Sequence, residues 1–369
     1  MQERYLFTPG PLSLSSTVRD SMRLDLASRD SAFKQVTQQL RDRLLLVFGG
    51  QASHSTVPIQ GSGTFAMEAA LVTFTGRRDK VLVCINGIYG ERIAKILAKS
   101  GINFEALRFP ATLPIDVATI ERMANLEEGF THICFVHCET TTGIVNPVRS
   151  LVETGRRHGL VTIVDAMSSF GGLPIDVEVD GIDILVSSGN KCIEAPAGVA
   201  FALISNRLLV GGVSHASSYC LDILDQWQNF EQHGEWRTTP PTHVVQAFNK
   251  ALEELLEEGL VSRNRRYCRI RDKILSGMTA LGFETVVPQD CQSPICLAFR
   301  SAELVPDKPA FESYYDHLAA NDVYIYAKLH DQTGTFRIGC IGQIEDAWID
   351  KLIGVTGEYF DISHSILAA

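Results

Sequence analysis

The 369-residue chain is short of several things, and each shortage closes off a class of function. Its nine cysteines, at 84, 134, 138, 192, 220, 268, 291, 296 and 340, include no Cys-x-x-Cys pair. An odd, scattered set in a chain of this length reads as free thiols in a reducing cytosol rather than a disulfide framework. Positive charge is in deficit: 33 Lys and Arg stand against 43 Asp and Glu, a net charge of −10. That balance lacks the basic footprint needed for non-specific nucleic-acid binding. No apolar run approaches the ~18 residues of a membrane span, and the opening MQERYLFTPGPLS has no apolar signal-peptide core. A cytoplasmic protein with neither membrane nor nucleic-acid partners is expected. The ten histidines show no metal-ligand spacing, so His137 and His243 are expected to be packed or hydrogen-bonded, with no metal. Glycine fingerprints for nucleotides are also incomplete. Gly61-Ser62-Gly63-Thr64 neither leads into Gly-Lys-Ser/Thr nor extends to a full dinucleotide motif.

Apolar residues make up 45% and charged residues 21%, the ordinary balance of a globular protein. At this length one core stops growing, which predicts a large and a small domain. Short apolar runs at 55–60, 80–85, 103–109, 131–137, 160–166, 182–188 and 198–204 predict strands. Helical patterns at 64–75, 89–100, 116–125 and 148–158 alternate with several of them. That alternation predicts an α/β large domain, a mainly parallel sheet between helices, over 16–260. Beyond two further helices at 243–259 and 262–280, with Gly259 as the cap between them, strands and helices resume. They predict a smaller α+β domain over 261–369, joined by the N-terminal segment 1–15. The stretch 211–242 has no sustained period and reads as a long functional loop, or one covered by a partner chain.

Three features bear on chemistry. Asp165 ends the apolar run LVTIV, at the strand end where open α/β sheets hold ligands. Taken alone it is as readily a turn cap. Lys191 follows the strand IDILV and the turn Ser-Ser-Gly-Asn. A desolvated lysine there can bond an aldehyde cofactor, although an isolated lysine on a loop is commonly just solvated. Ser62, Gly63 and Thr64 lie between a strand and a helix, where small residues and free N–H groups suit an anion. Together they fit pyridoxal 5′-phosphate, which needs a lysine for its aldehyde, an acid for its pyridine nitrogen, a phosphate site and a face to stack on. Tyr89, beyond another strand end, is the candidate for stacking. Arg337, in the apolar strand TFRIG, is a fork for a carboxylate or phosphonate, or else half of a structural ion pair. Cys192 reads as a plain buried thiol.

The stretches TPGP (8–11), QGSGTFAMEA (60–69), NGIYGER (86–92), VHCETTTGIVNP (136–147), IVDAMSSFGG (163–172), SSGNKCI (187–193), WRTTPPTH (236–243) and FRIG (336–339) cover almost the whole chain. In that order they resemble the fold-type I, class V aminotransferases, and within them the 2-aminoethylphosphonate–pyruvate transaminase family. The resemblance implies a homodimeric enzyme that moves the amino group of 2-aminoethylphosphonate to pyruvate. It implies that Lys191 holds the cofactor and that Asp165 faces the pyridine nitrogen. Ser62, Gly63 and Thr64 would bind the phosphate, with Thr242 reaching in from the neighbouring subunit. Thr140 would contact the ring side, Tyr89 would stack, and Arg337 would hold the substrate anion. The rival within the same family is an alanine– or serine–glyoxylate aminotransferase.

Overall fold

The computed structural model describes residues 4–126, 129–330 and 333–362. The outermost residues of the N-terminal segment and of the small-domain tail lie outside the described residues.

The larger sheet has seven strands. From one edge they run His54–Gln60, Val199–Ser205, Ile184–Ser188, Val161–Asp165, His132–Val136, Lys80–Ile85 and Asn103–Arg108. All neighbours pair in parallel except Val199–Ser205, which runs antiparallel to both strands beside it. Each sequence-predicted strand is present, because continuous apolar runs suit strands covered on both faces. Val81–Ile85, Ile133–Val136 and Ile184–Val186 are buried along their whole length. The helices Gly63–Phe74, Ile88–Ser100, Val117–Leu126 and Val148–Arg157 follow strands as expected.

The smaller sheet has five strands in the order Tyr5–Phe7, Val323–His330, Thr335–Gly339, Cys296–Arg300 and Glu284–Thr285. Tyr5–Phe7 pairs in parallel with Val323–His330, and the rest of the sheet is antiparallel. Its core is aromatic: Phe336 lies within 5.4 to 5.8 Å, centroid to centroid, of Phe283, Tyr314 and Phe311. Offset and edge-on ring packing at this spacing adds to the burial of apolar area. The helices Thr242–Glu258 and Leu260–Ala280 lead from the larger sheet to the smaller one. They meet at Gly259, whose φ of 78° lies in the left-handed region that favours glycine.

The reading of 211–242 as an unbroken loop is corrected. It contains the helix Ile223–His233, in which Asp222 accepts from the Asp225 N–H and Gly234 closes the C-terminus at φ 66°. Ile223, Leu224 and Phe230 form its buried stripe. The helices Ser16–Ser21 and Ser31–Phe48 were likewise not foreseen. Among the described residues, no helix is long and apolar enough to cross a membrane.

Candidate active site

The parallel strands of the larger sheet deliver their C-terminal ends to one cavity. Strand Val161–Asp165 ends with the Asp165 carboxylate, and its neighbour Ile184–Ser188 runs into the turn that bears Lys191. Both side chains line the cavity, as do Ser62, Gly63, Thr64 and Tyr89. The chain thus brings together six of the nine sequence-predicted site residues.

Asp165 is buried, and its Oδ1 accepts from the Met167 N–H at 2.9 Å. Burial pushes its carboxyl up to about 6, against the Met167 hydrogen bond and the nearby charges of Lys191 and Arg92. Lys191 is half-buried, and among the described residues no hydrogen bond or ion pair is formed by its side-chain amine. An amine left without a partner beside a buried carboxylate is placed to bond something that enters the cavity.

Part of the lining is the N-terminus of the twelve-residue helix Gly63–Phe74. Ser62 is its N-cap by backbone position, yet the Ser62 hydroxyl bonds none of the helix N–H groups and stays exposed. At Gly63, a Cβ would come within 2.3 Å of the Met167 sulfur. The cradle therefore has room for a backbone and an anion but not for a side chain.

Two more predicted residues, Thr140 and Arg337, meet each other but are not among the residues lining the cavity. Thr140 is fully buried with its Oγ1 unpartnered, while its carbonyl accepts from Arg337 Nη1 at 3.2 Å. Arg337 is 4% exposed and its guanidinium lies 3.9 Å from the centre of the Tyr326 ring. The structural ion pair that was its alternative reading is not formed with any described carboxylate. Thr242 is set apart. It opens the helix Thr242–Glu258 and does not line this chain's own cavity.

Sequence reasoning missed Arg92 and Glu139. Arg92 lies one helical turn beyond Tyr89, lines the cavity and donates to Thr64 Oγ1 at 3.0 Å. The i, i+3 spacing of Tyr89 and Arg92 in NGIYGER was the available signal. Glu139 is wholly buried and accepts from the N–H groups of Tyr89 at 3.1 Å and Thr141 at 3.0 Å. Its carboxyl is raised by burial, and it fixes the start of the helix Ile88–Ser100 that presents Tyr89 and Arg92. His137 is buried and pushed down to about 4 by desolvation, and His243 Nε2 meets Asp25 Oδ1 at 2.9 Å. The buried Cys192 thiol donates to the Ser168 carbonyl at 3.4 Å, and burial raises it to about 12.

The family model for class-V aminotransferases matches residues 17–308. The chain belongs to the class-V aminotransferases. It is 40% identical over 362 residues to a 2-aminoethylphosphonate–pyruvate transaminase of Bacteroides fragilis, covering 97% of this chain and 99% of that one. A protein of the same name from Pseudomonas putida is 39% identical over 340 residues, 92% of each chain. Among solved structures, an alanine–glyoxylate aminotransferase from Nostoc superposes with a TM-score of 0.88 over 98% of this chain and 96% of that one, at 20% identity. At that identity the likeness speaks for the fold, the type I architecture of this aminotransferase.

Proposed function

We propose that this class-V aminotransferase uses pyridoxal 5′-phosphate to move the amino group of 2-aminoethylphosphonate to pyruvate, giving phosphonoacetaldehyde and alanine. The observation that carries the reading is the unpartnered Lys191 amine and the buried Asp165 carboxylate lining one cavity together with an uncapped helix N-terminus. The names of the near-full-length relatives support the substrate pair.

The residues present fit the cofactor. Ser62, Gly63 and Thr64 offer a cradle for its phosphate that a Cβ at Gly63 would fill, and the Thr140 hydroxyl is an orphaned donor. When bound, pyridoxal phosphate supplies an aldehyde for amines and a protonated ring that withdraws electrons from the substrate carbon. Lys191 Nζ would hold that aldehyde and would be freed when the substrate amine takes its place. The freed Nζ would then accept the proton from the carbon bearing the substrate nitrogen and return it to the carbon of the cofactor's former aldehyde, as general base and then acid. Asp165 faces the ring nitrogen, where a cation at its carboxylate offsets the desolvation that otherwise raises it. Tyr89 would stack on the ring, and the Arg337 fork would take the phosphonate in one half-reaction and the carboxylate of pyruvate in the other.

The same reading makes the enzyme a homodimer, with Thr242 completing the phosphate site of the partner chain. Phe65, 54% exposed next to the cradle, and Tyr219, 68% exposed, are apolar surface of the kind a partner covers. The unpaired cysteines support the cytoplasm as its compartment.

The test is an absorbance spectrum of the purified protein supplied with the cofactor, followed by addition of single amines. A yellow band that 2-aminoethylphosphonate bleaches, and alanine or serine with glyoxylate as acceptor do not turn over, is the expected result. Turnover of alanine or serine alone would overturn the assigned donor, and a protein that stays colourless would overturn the cofactor.

A further inference from the structure

The turn that bears Lys191 is tied down by a buried ionic network that the reaction above does not use. Its centre is Glu194, 2% exposed and held at φ 63°, a left-handed conformation that side chains other than glycine rarely adopt. The Glu194 N–H donates to the Lys191 carbonyl at 2.9 Å, closing the turn. Its Oε1 accepts from Tyr267 Oη at 2.6 Å and Arg266 Nη2 at 2.9 Å, and its Oε2 accepts from Gln343 Nε2 at 2.6 Å. Arg263 Nη1 donates to the carbonyl of Cys192 at 2.9 Å, and Tyr267 Oη, its proton directed to Glu194, lies 3.1 Å from the same carbonyl. Glu258 adds the second negative charge, pairing with Arg263 and with Arg266 Nε at 2.8 Å. Two arginines and two glutamates thus balance within the protein.

The network has reach as well as charge. Arg263, Arg266 and Tyr267 stand on Leu260–Ala280, the helix that leads into the smaller sheet. Arg266 Nη1 also donates to the Gly342 carbonyl at 2.8 Å, and Gln343 follows Arg337's strand, Thr335–Gly339, by four residues. The Gln343 N–H in turn donates to the Ser13 carbonyl at 3.3 Å. One carboxylate therefore braces the Lys191 turn against the chain segment that carries Arg337 and against the N-terminal segment.

We infer that Glu194 is a positioning residue, which fixes the Lys191 amine relative to the substrate anion held at Arg337. This rests on the function proposed above. A lysine that must leave one bond and then shuttle a proton needs a rigid root, and displacement by ~1 Å can cost roughly 100-fold in rate. The carboxylate is required because an amide would leave the buried Arg263 and the partly buried Arg266 with only the Glu258 charge between them.

Glu194→Gln, loaded with pyridoxal phosphate, is compared with wild type for kcat, KM for pyruvate and the pH midpoint of the visible absorbance band. The expected result is kcat lower by roughly 10- to 100-fold with KM within about threefold. The band midpoint should move by about half a pH unit or more. A variant that melts earlier but keeps wild-type kcat per bound cofactor and an unshifted midpoint would show a merely structural brace and overturn the inference. If Glu194→Gln does not fold, Gln343→Ala removes only the Oε2 contact. It should lower kcat about threefold or more and move the band midpoint away from the wild-type value, and wild-type values in both would overturn the inference. Wild-type protein that takes up no cofactor would instead overturn the proposed function.

Discussion

The Arg92 guanidinium donates to the Thr64 hydroxyl at 3.0 Å while lying 4.8 Å from the centre of the Tyr89 ring. It joins the anion cradle to the aromatic face of the same cavity, and no described carboxylate pairs with it. Its charge is free for an anion at the cradle. Arg92→Met should therefore weaken pyridoxal phosphate binding about tenfold, the smaller end of what a hydrogen bond to a charged group contributes, because Arg92 is exposed. Titrating the apoprotein with cofactor and following absorbance measures this directly. An unchanged affinity would leave Arg92 only the role of packing on Tyr89.

Lys191 has nothing else to do in the described structure, so its removal should cost chemistry and little stability. Lys191→Ala is expected to lower turnover by on the order of a thousandfold or more, since it deletes both covalent attachment and proton transfer. Its apoprotein should melt within a few degrees of wild type, as half-buried side chains without partners usually contribute little. Preserved turnover, by coupled assay of alanine formation, would remove the centre of the proposed mechanism.

For Asp165 the pH dependence has a definite sign. Burial raises its carboxyl from 3.8 to about 6 in the folded apoprotein, so the fold favours the protonated form. Ionisation above pH 6 then opposes folding, by up to about 3 kcal/mol, and this cost disappears as pH falls from 6 towards 4. Asp165→Asn keeps an acceptor for the Met167 N–H but carries no charge. Its apoprotein should melt higher than wild type at pH 8, and the two melting curves should converge by pH 4. With cofactor bound the order should reverse, because the wild-type carboxylate then faces a cation.

The large sheet was legible because its inner strands are buried on both faces and so appear as unbroken apolar runs; Lys80–Ile85 matches its sequence prediction at both ends, while the edge strand Asn103–Arg108 has no buried residue. Asp165 and Lys191 were legible for a related reason, as polar residues placed where such runs stop. The helix Ile223–His233 was not, since Gln226, Asn229, Glu231 and Gln232 dilute a stripe of only three buried residues. Its Asp222 and Gly234 caps were nonetheless in the sequence. Glu139 and Glu194 escaped notice because their roles depend on partners far along the chain. Nothing local distinguishes a glutamate that meets Arg266 and Gln343 from one on the surface.

Arg337 supplies a test in which function and stability are expected to move in opposite directions. Its guanidinium is buried, yet the only described groups that meet it are the Thr140 carbonyl and the Tyr326 ring. Neither cancels a full charge, so the apoprotein bears the cost of a desolvated cation that a substrate anion would relieve. Arg337→Met fills similar volume without charge and should leave the apoprotein at least as stable as wild type by thermal melting. The same variant should raise KM for both 2-aminoethylphosphonate and pyruvate by roughly 10- to 100-fold, the range for losing a charge-assisted fork. Arg337→Lys should recover only part of that loss, because an ammonium restores the charge without the two parallel donors. If Arg337→Met melted far below wild type while KM for both substrates held, the residue would be a structural support and the substrate anion would have to be bound elsewhere.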